Sequence, residues 1–436
     1  MDAAANQLPH KKERGILPPS FFRYGIFLFE NAVAKASFFP LFLALSCLIR
    51  YTGNKIMRNE VLFMAGSSFG TIFRVTTFGE SHGVGLGAVV DGCPAGIPLS
   101  AEFLQTYLDR RKPGQSRHST PRKESDHVEL LSGVWEGKTT GAPIALLIRN
   151  EAQRSADYSE IASYYRPGHA DFTFDAKYGF RDYRGGGRSS GRETAARVAA
   201  GAVACAFLRE VGIEACAYTK SIHHLLCFDT ADYLAERLSI SELIALREQS
   251  PLCMPDSATS HQAEAFLDQL RQERNSAGGT IECVLHGLPA GLGDPVFEKL
   301  DARLAHAMLS IGAVKGFELG SGFAAAQLYG TEQNDPFFTA SDGSVQKRTN
   351  HAGGILGGIS DGSDILFRVA VKPTPSVGVP QETVKKDGTS YLASVAGRHD
   401  PVIVPRAVVV VECMAALTVA DALLCNLDSR LDRWKP

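Results

Sequence analysis

The sequence predicts an α+β fold built as a single large domain, and three observations carry that expectation. The 436 residues are 44% hydrophobic and 21% charged, the balance of a folded globular chain rather than a disordered, collagen-like or polytopic membrane one. Strand-length and helix-length apolar runs follow one another without regular βαβα alternation, which disfavours a doubly wound parallel sheet. No segment of roughly 20–50 residues recurs, so a repeat architecture is excluded.

The elements follow in chain order. Residues 71–77 (TIFRVTT) are β-branched and aromatic and read as a strand, and 86–90 as a second, ended by Asp91-Gly92. Ser100 can cap a helix over AEFLQTYLDRR, which Pro113-Gly114 stops. Residues 143–148 (PIALLI) read as a strand. The Ala-rich run 193–208 reads as a long buried helix, since small residues occupy several of its faces. Residues 217–260 show no strong pattern and read as an irregular excursion. Helices are expected at 262–274, 296–309 and 406–424, and strands at 279–285 and 365–371.

Composition breaks near Met64. Residues 1–63 hold 8 Lys/Arg against 4 Asp/Glu, so +4, and 64–436 hold 37 against 43, so −6. The first 63 residues also contain 8 of the 24 Phe but only 3 of the 42 Gly. Their apolar run, 36–49, has 14 residues and is interrupted by Pro40. A membrane-spanning helix needs about 20. The segment therefore reads as an N-terminal extension outside the folded core, either membrane-touching, targeting, or upstream sequence before a start at Met64. Residues 64–436 read as the folded domain, with no membrane role. The nine Cys are scattered without a C-x-x-C pair, which argues against a zinc ribbon and for free thiols in a reducing, cytoplasmic setting.

The densest chemical signal is RDYRGGGRSSGRE at 181–193. Three consecutive Gly allow close backbone approach, and Ser190 with Glu193 has capping-box spacing at the start of the long helix. With Arg181, Arg184, Arg188 and Arg192 this predicts an anion or phosphate site at a helix start. It matches neither the P-loop nor the dinucleotide fingerprint. A second basic stretch, RRKPGQSRHSTPRK at 110–123, has six Arg or Lys in fourteen residues. It lacks Phe, Tyr and Trp, which weakens a single-strand nucleic-acid reading because bases would have no stacking platform. His82 in GESHG and His169 in RPGHAD sit in Gly/Pro turns, where an imidazole can face a cleft and move protons near neutrality. No metal-ligand spacing is present. The Gly-rich stretch 350–362, KPTPS at 372–376 and GRHDP at 397–401 repeat one theme: glycine for close approach, with cationic or hydroxyl donors beside it. By residue chemistry alone, a phosphate-handling transferase and a nucleic-acid binder stay open as alternatives.

These motifs, in this order, resemble the chorismate synthase family. The likeness runs from FRVTTFGESHG (73–83) through RPGHAD, FRDYRGGGRSSGRET, IGAVKG (311–316), NHAGGILGGISDG, KPTPS and GRHDP, and covers about 66–426. The resemblance implies a lyase of the shikimate pathway. It would convert 5-enolpyruvylshikimate 3-phosphate to chorismate and phosphate by anti-1,4-elimination, dependent on reduced FMN. It also implies helices packed between antiparallel sheets, a homotetramer, and flavin reduced by NADPH or by a separate reductase. On matching positions, His82 would protonate the departing phosphate, His169 the reduced flavin near N1, and Asp400 would help deprotonate flavin N5. Arg188, Ser189, Ser190, Gly312, Ala313, Gly358, Lys372, Pro373, Thr374, Pro375, Ser376 and Arg398 would contact the flavin. Arg111 and Arg117 would bind substrate or NADP. No metal and no nucleic acid are implied.

Overall fold

The computed structural model describes residues 66–114, 125–150, 160–228, 238–394, 400–427 and 429–431. The predicted extension 1–63, Arg117 and Arg398 lie outside the described residues.

The first sheet comprises β1 (Ser68–Phe69), β2 (Arg74–Gly79), β3 (Gly85–Asp91), β4 (Val128–Leu130) and β5 (Ile144–Arg149). Its order is β1-β2-β3-β5-β4, and every pairing is antiparallel. Alternate residues Val75, Leu86, Ala88, Val90, Ile144, Leu146 and Ile148 are buried, so one face meets the core. β2 starts at Arg74, later than the sequence predicts. The amides of Thr71, Ile72 and Phe73 instead donate to the carboxylate of Asp421, at 2.9, 2.7 and 2.9 Å. Helix α1 (Ala101–Arg111) follows, with Ser100 accepting from the Phe103 amide as the sequence predicts.

Two more helices lead out of this sheet, α2 (Asp171–Tyr178) and α3 (Thr194–Glu210). The second sheet holds β6 (Glu214–Ile222), β7 (Leu225–Leu226), β8 (Gly279–His286), β9 (Val314–Leu319) and β10 (Ile365–Val371). Its order is β9-β10-β8-β6-β7, again antiparallel throughout. Helices α4 (Ile240–Gln249), α5 (Ser257–Gln272), α6 (Leu300–Leu309) and α7 (Val404–Cys425) complete the main elements.

Helix α3 lies on β3 and β5 and also packs on α7, which lies on β6 and β8. The layers therefore run sheet, helix, helix, sheet, the α+β arrangement with helices between antiparallel sheets. Such a position leaves no polar face, and thirteen residues of α3 and sixteen of α7 are buried. By length and composition α7 could cross a bilayer, but 83% of its most apolar window is buried inside protein, which marks a core helix.

Three segments depart from the sequence reading. The stretch 217–260 holds most of β6 and all of α4. β6 lacks a period-2 pattern because both of its faces are covered: Ala217 and Ile222 join the main core, while Cys216 and Tyr218 pack against Ile240 and Leu243 of α4. β9 is an edge strand whose Gly316 breaks the pattern. The helix expected at 296–309 begins at Leu300, after an irregular approach containing Gly293 and Pro295.

Candidate functional site

His82 stands at the tip of the turn between β2 and β3, and the triple-glycine loop closes over it. Gly185, Gly186 and Gly187 all have φ between 53° and 83°, a region that side chains rarely tolerate. The space matters as much. A Cβ on Gly185 would lie 2.6 Å from His82 Cδ2 and 2.7 Å from its Nε2, so glycine lets the backbone lie against the imidazole. Ser81 Oγ donates to the Gly185 carbonyl at 3.3 Å. Arg188 reaches back to β2, donating to Thr77 Oγ1 at 2.7 Å and to the Gly79 carbonyl at 3.3 Å.

The capping box expected at Ser190 takes a different form. Ser190 Oγ accepts from the Arg192 amide across a short 3₁₀ turn. Glu193 turns to Arg197 Nε at 2.9 Å and to Thr77 Oγ1 at 3.3 Å. The four arginines expected to supply charge to an anion each have partners within the protein. Arg181 pairs with Asp175, Arg184 with Asp182 and Arg192 with Asp126, while Arg188 donates to β2. Ser189 Oγ donates to the Gly186 carbonyl at 2.8 Å, fixing the loop on itself.

His169 belongs to a second cluster. Arg166 and Asp171 close the RPGHAD turn through two 2.8 Å contacts, with His169 between them. His169 Nδ1 lies 3.0 Å from the Pro167 carbonyl, and Nε2 lies 3.0 Å from Ser376 Oγ. A carbonyl only accepts, so the proton sits on Nδ1 and Nε2 accepts from the serine. Burial, reinforced by the Arg166 charge, lowers the imidazole to about 4. Lys372 Nζ donates to the Gly168 carbonyl at 2.6 Å, and a Cβ on Gly168 would lie 2.8 Å from Pro375 Cβ. The Lys372 amide donates to the carbonyl of Ala313, a non-glycine residue at φ 73°. Gly312 beside it is exposed, and Pro373 covers Gly278. Within this cluster the Thr374 hydroxyl oxygen is buried without a hydrogen-bond partner. Such a group is costly to leave unpaired and marks a place for an outside donor or acceptor.

Arg111 is 2% exposed, and its described contacts are internal. It donates to Asp126 at 2.7 Å, Thr194 Oγ1 at 3.2 Å and the Gly191 carbonyl at 2.9 Å. Burial would raise the Asp126 carboxyl, but Arg111 and Arg192 outweigh it and hold it below its usual range. Asp400 is buried and pairs with Arg406 at 2.6 Å, and Arg406 Nε also reaches the Arg111 carbonyl. Next to it, the Pro401 carbonyl accepts from Ala277, beside Gly278 and the KPTPS segment. Gly358 keeps different company: its carbonyl accepts from Leu300 at the start of α6, and a Cβ there would meet Asp294 and Lys299.

The structure thus brings His82 to Gly185 of the loop that carries Arg188, and His169 to Ser376 and the segment of Lys372 and Pro375. Sequence reading missed Asn150, which bonds the His82 turn and Arg192, and Asp126, which pairs with Arg192 and Arg111. Neither belongs to a Gly-rich motif, so no local signal marks them.

The sequence profile of the family described as chorismate synthase matches residues 73–424. The chorismate synthase of Lachnoclostridium phytofermentans is 62% identical over 372 residues, covering 85% of this chain and 99% of its own length. That of Thermosynechococcus vestitus is 52% identical over 360 residues, covering 82% and 97%. A crystal structure of chorismate synthase superposes with a TM-score of 0.67 at 35% identity, over 83% of this chain and 94% of that one. The chain, a lyase by this kinship, belongs to the chorismate synthase family.

Proposed function

We propose that this protein converts 5-enolpyruvylshikimate 3-phosphate to chorismate and phosphate, an anti-1,4-elimination that depends on reduced FMN. Family membership supports the reaction, and the cluster around His169 supports the cofactor. That cluster offers a buried, unpartnered hydroxyl at Thr374, the ammonium of Lys372 and the hydroxyl of Ser376 on one segment. These suit the heteroatom edge and phosphate of a flavin. Reduced FMN supplies reversible electron donation, so the C–O bond to phosphate can break although the C6 hydrogen is not acidic.

The chain's own residues bind, orient and move protons. Arg188, Ser189, Ser190, Gly312, Ala313, Gly358, Arg398 and 372–376 hold the cofactor, and Arg111 and Arg117 belong to the anion-binding side. His82 gives a proton to the leaving phosphate, its ring lying against the Gly185 backbone. Asp400, paired with Arg406, would help take a proton from flavin N5, directly or through the substrate. His169 meets a condition set by its tautomer. With Nε2 accepting from Ser376, it can donate there only after an anion beside it has raised it from about 4.

The test is anaerobic turnover with reduced FMN, read as chorismate formed and phosphate released. No turnover from folded, flavin-loaded protein would refute the reading. His82→Ala is expected to lose about 100- to 10,000-fold in rate while flavin still binds, the usual scale of general acid catalysis. Retained rate in that variant removes the assigned role.

The electrons come from NADPH or from a separate reductase; adding NADPH to the FMN-loaded enzyme separates the two. The assembly we propose is a homotetramer, tested by sedimentation. Phe297, Phe323 and Tyr329, at 91%, 82% and 78% exposure, offer apolar surface for a second copy to cover. The catalytic unit is residues 64–436 with 1–63 as an extension, and mass spectrometry of the native N-terminus tests that boundary. The eight cysteines among the described residues are all unpaired, which supports a cytoplasmic setting.

A further inference from the structure

Asn150 directly follows β5, outside every motif that carries the family likeness. Its side-chain amide donates to two carbonyls, Glu80 O and Gly83 O, each at 2.9 Å. Those carbonyls bracket His82. The Asn150 backbone amide donates to the Val84 carbonyl at 3.1 Å, so the whole residue is laced to this turn. The amide oxygen accepts from Arg192 Nε at 3.0 Å. Only one orientation of the carboxamide satisfies these partners, because its nitrogen faces two acceptors and its oxygen faces a donor. Arg192 is itself set by Asp126, which is fully buried and shared with Arg111. The backbone turn Glu80–Gly83 has one hydrogen bond of its own, at 3.1 Å from the Gly83 amide to the Glu80 carbonyl. Ser81 Oγ ties the turn to the Gly185 carbonyl at 3.3 Å, and the Asn150 amide adds two shorter bonds on either side of the imidazole.

We propose that Asn150, oriented by Arg192 and Asp126, is the positioning residue that fixes the His82 turn for proton delivery to the leaving phosphate. The inference rests on the reading of His82 as the proton donor. It adds that this donor's placement is set from a strand end and a buried ion pair outside the glycine motifs. Geometry of this kind governs rate steeply, since misplacement by about 1 Å can cost ~100-fold.

The test uses Asn150→Asp in the full-length, FMN-loaded enzyme. This change keeps the shape and the contact to Arg192 but turns an oxygen toward the two carbonyls. The expected result is a roughly 10- to 100-fold fall in kcat with substrate KM and FMN affinity within about twofold. The decisive arm is the cycle with His82→Ala. If Asn150 acts through His82, the double variant is no slower than His82→Ala alone. Multiplying losses, or a raised KM with kcat unchanged, overturns the proposal while leaving His82 in its role. Full activity in His82→Ala overturns the reading of His82 and the proposal with it. Folding is checked by thermal melting, and Asn150→Ser, which removes both donations without adding charge, replaces Asn150→Asp should that variant fail to fold.

Discussion

His169 shows how far residue type and environment can pull apart. Its sequence context names a histidine in a rigid turn near a carboxylate, which suggests a group titrating near neutrality. The structure commits that carboxylate, Asp171, to Arg166 and leaves the imidazole buried beside a cation, lowered to about 4. The sign for stability follows. Between about 4 and the ordinary histidine range near 6.5 the unfolded chain binds the proton and the folded one does not. His169 therefore withdraws stability as pH falls through that window, and His169→Gln should flatten the acid-side loss of melting temperature. Binding of FMN should raise the imidazole, because a phosphate or an anionic ring edge favours its charged form. NMR titration of His169 with and without FMN checks this, and an unchanged value would count against a neighbouring anion. At this scale the sequence named most candidate residues but not their pairings. Arg111, Arg184 and Arg192 read as open cations, and the carboxylates that take them, Asp126 and Asp182, lie outside or at the margin of the motifs.

Elements were legible where one face meets the core and the other does not. β2, β3, β5 and α1 alternate or cap as their sequences require. β6 was hidden because both of its faces are buried, and β2 lost its first residues to a side chain on a helix over 340 residues away, Asp421. The two central helices show what the burial requires. Gly201 in α3 faces α7, and a Cβ there would come within 2.8 Å of Cys413 Cα and of its carbonyl oxygen. Gly201→Ala gains helix propensity but forces backbones apart, so a net loss of about 1–3 kcal/mol is expected by chemical denaturation. Glu412 on α7 is fully enclosed and meets Arg110 at 2.6 Å and Arg247 at 2.7 Å. Burial pushes its carboxyl up, but the two guanidinium groups prevail and bring it down to about 2. Glu412→Gln leaves the buried Arg247 and the half-buried Arg110 without their counter-charge and should cost about 3–5 kcal/mol in the same measurement.

Across the whole molecule, the site draws on segments from β2 to α7, which is why a domain count from length alone misleads. The layered plan could be expected from the family likeness, while the ties that hold the layers together could not. Asp421 is the clearest tie: fully buried in the last helix, it receives the amides of Thr71, Ile72 and Phe73 and also pairs with Arg303. Asp421→Asn keeps the acceptor oxygen but loses the charge opposite Arg303. It should lower the melting temperature and expose the strand 74–79 to proteolysis before the second sheet. The same tie has a consequence for synthesis. Thr71 and its partner are 350 residues apart in the chain, so at ~5–20 residues per second the first strand waits roughly 20 to 70 s on the ribosome for the group that completes it. Through that interval α3, which covers the first sheet, has no α7 packed on its other side, so a nascent chain stalled before residue 404 should engage chaperones that the finished protein does not.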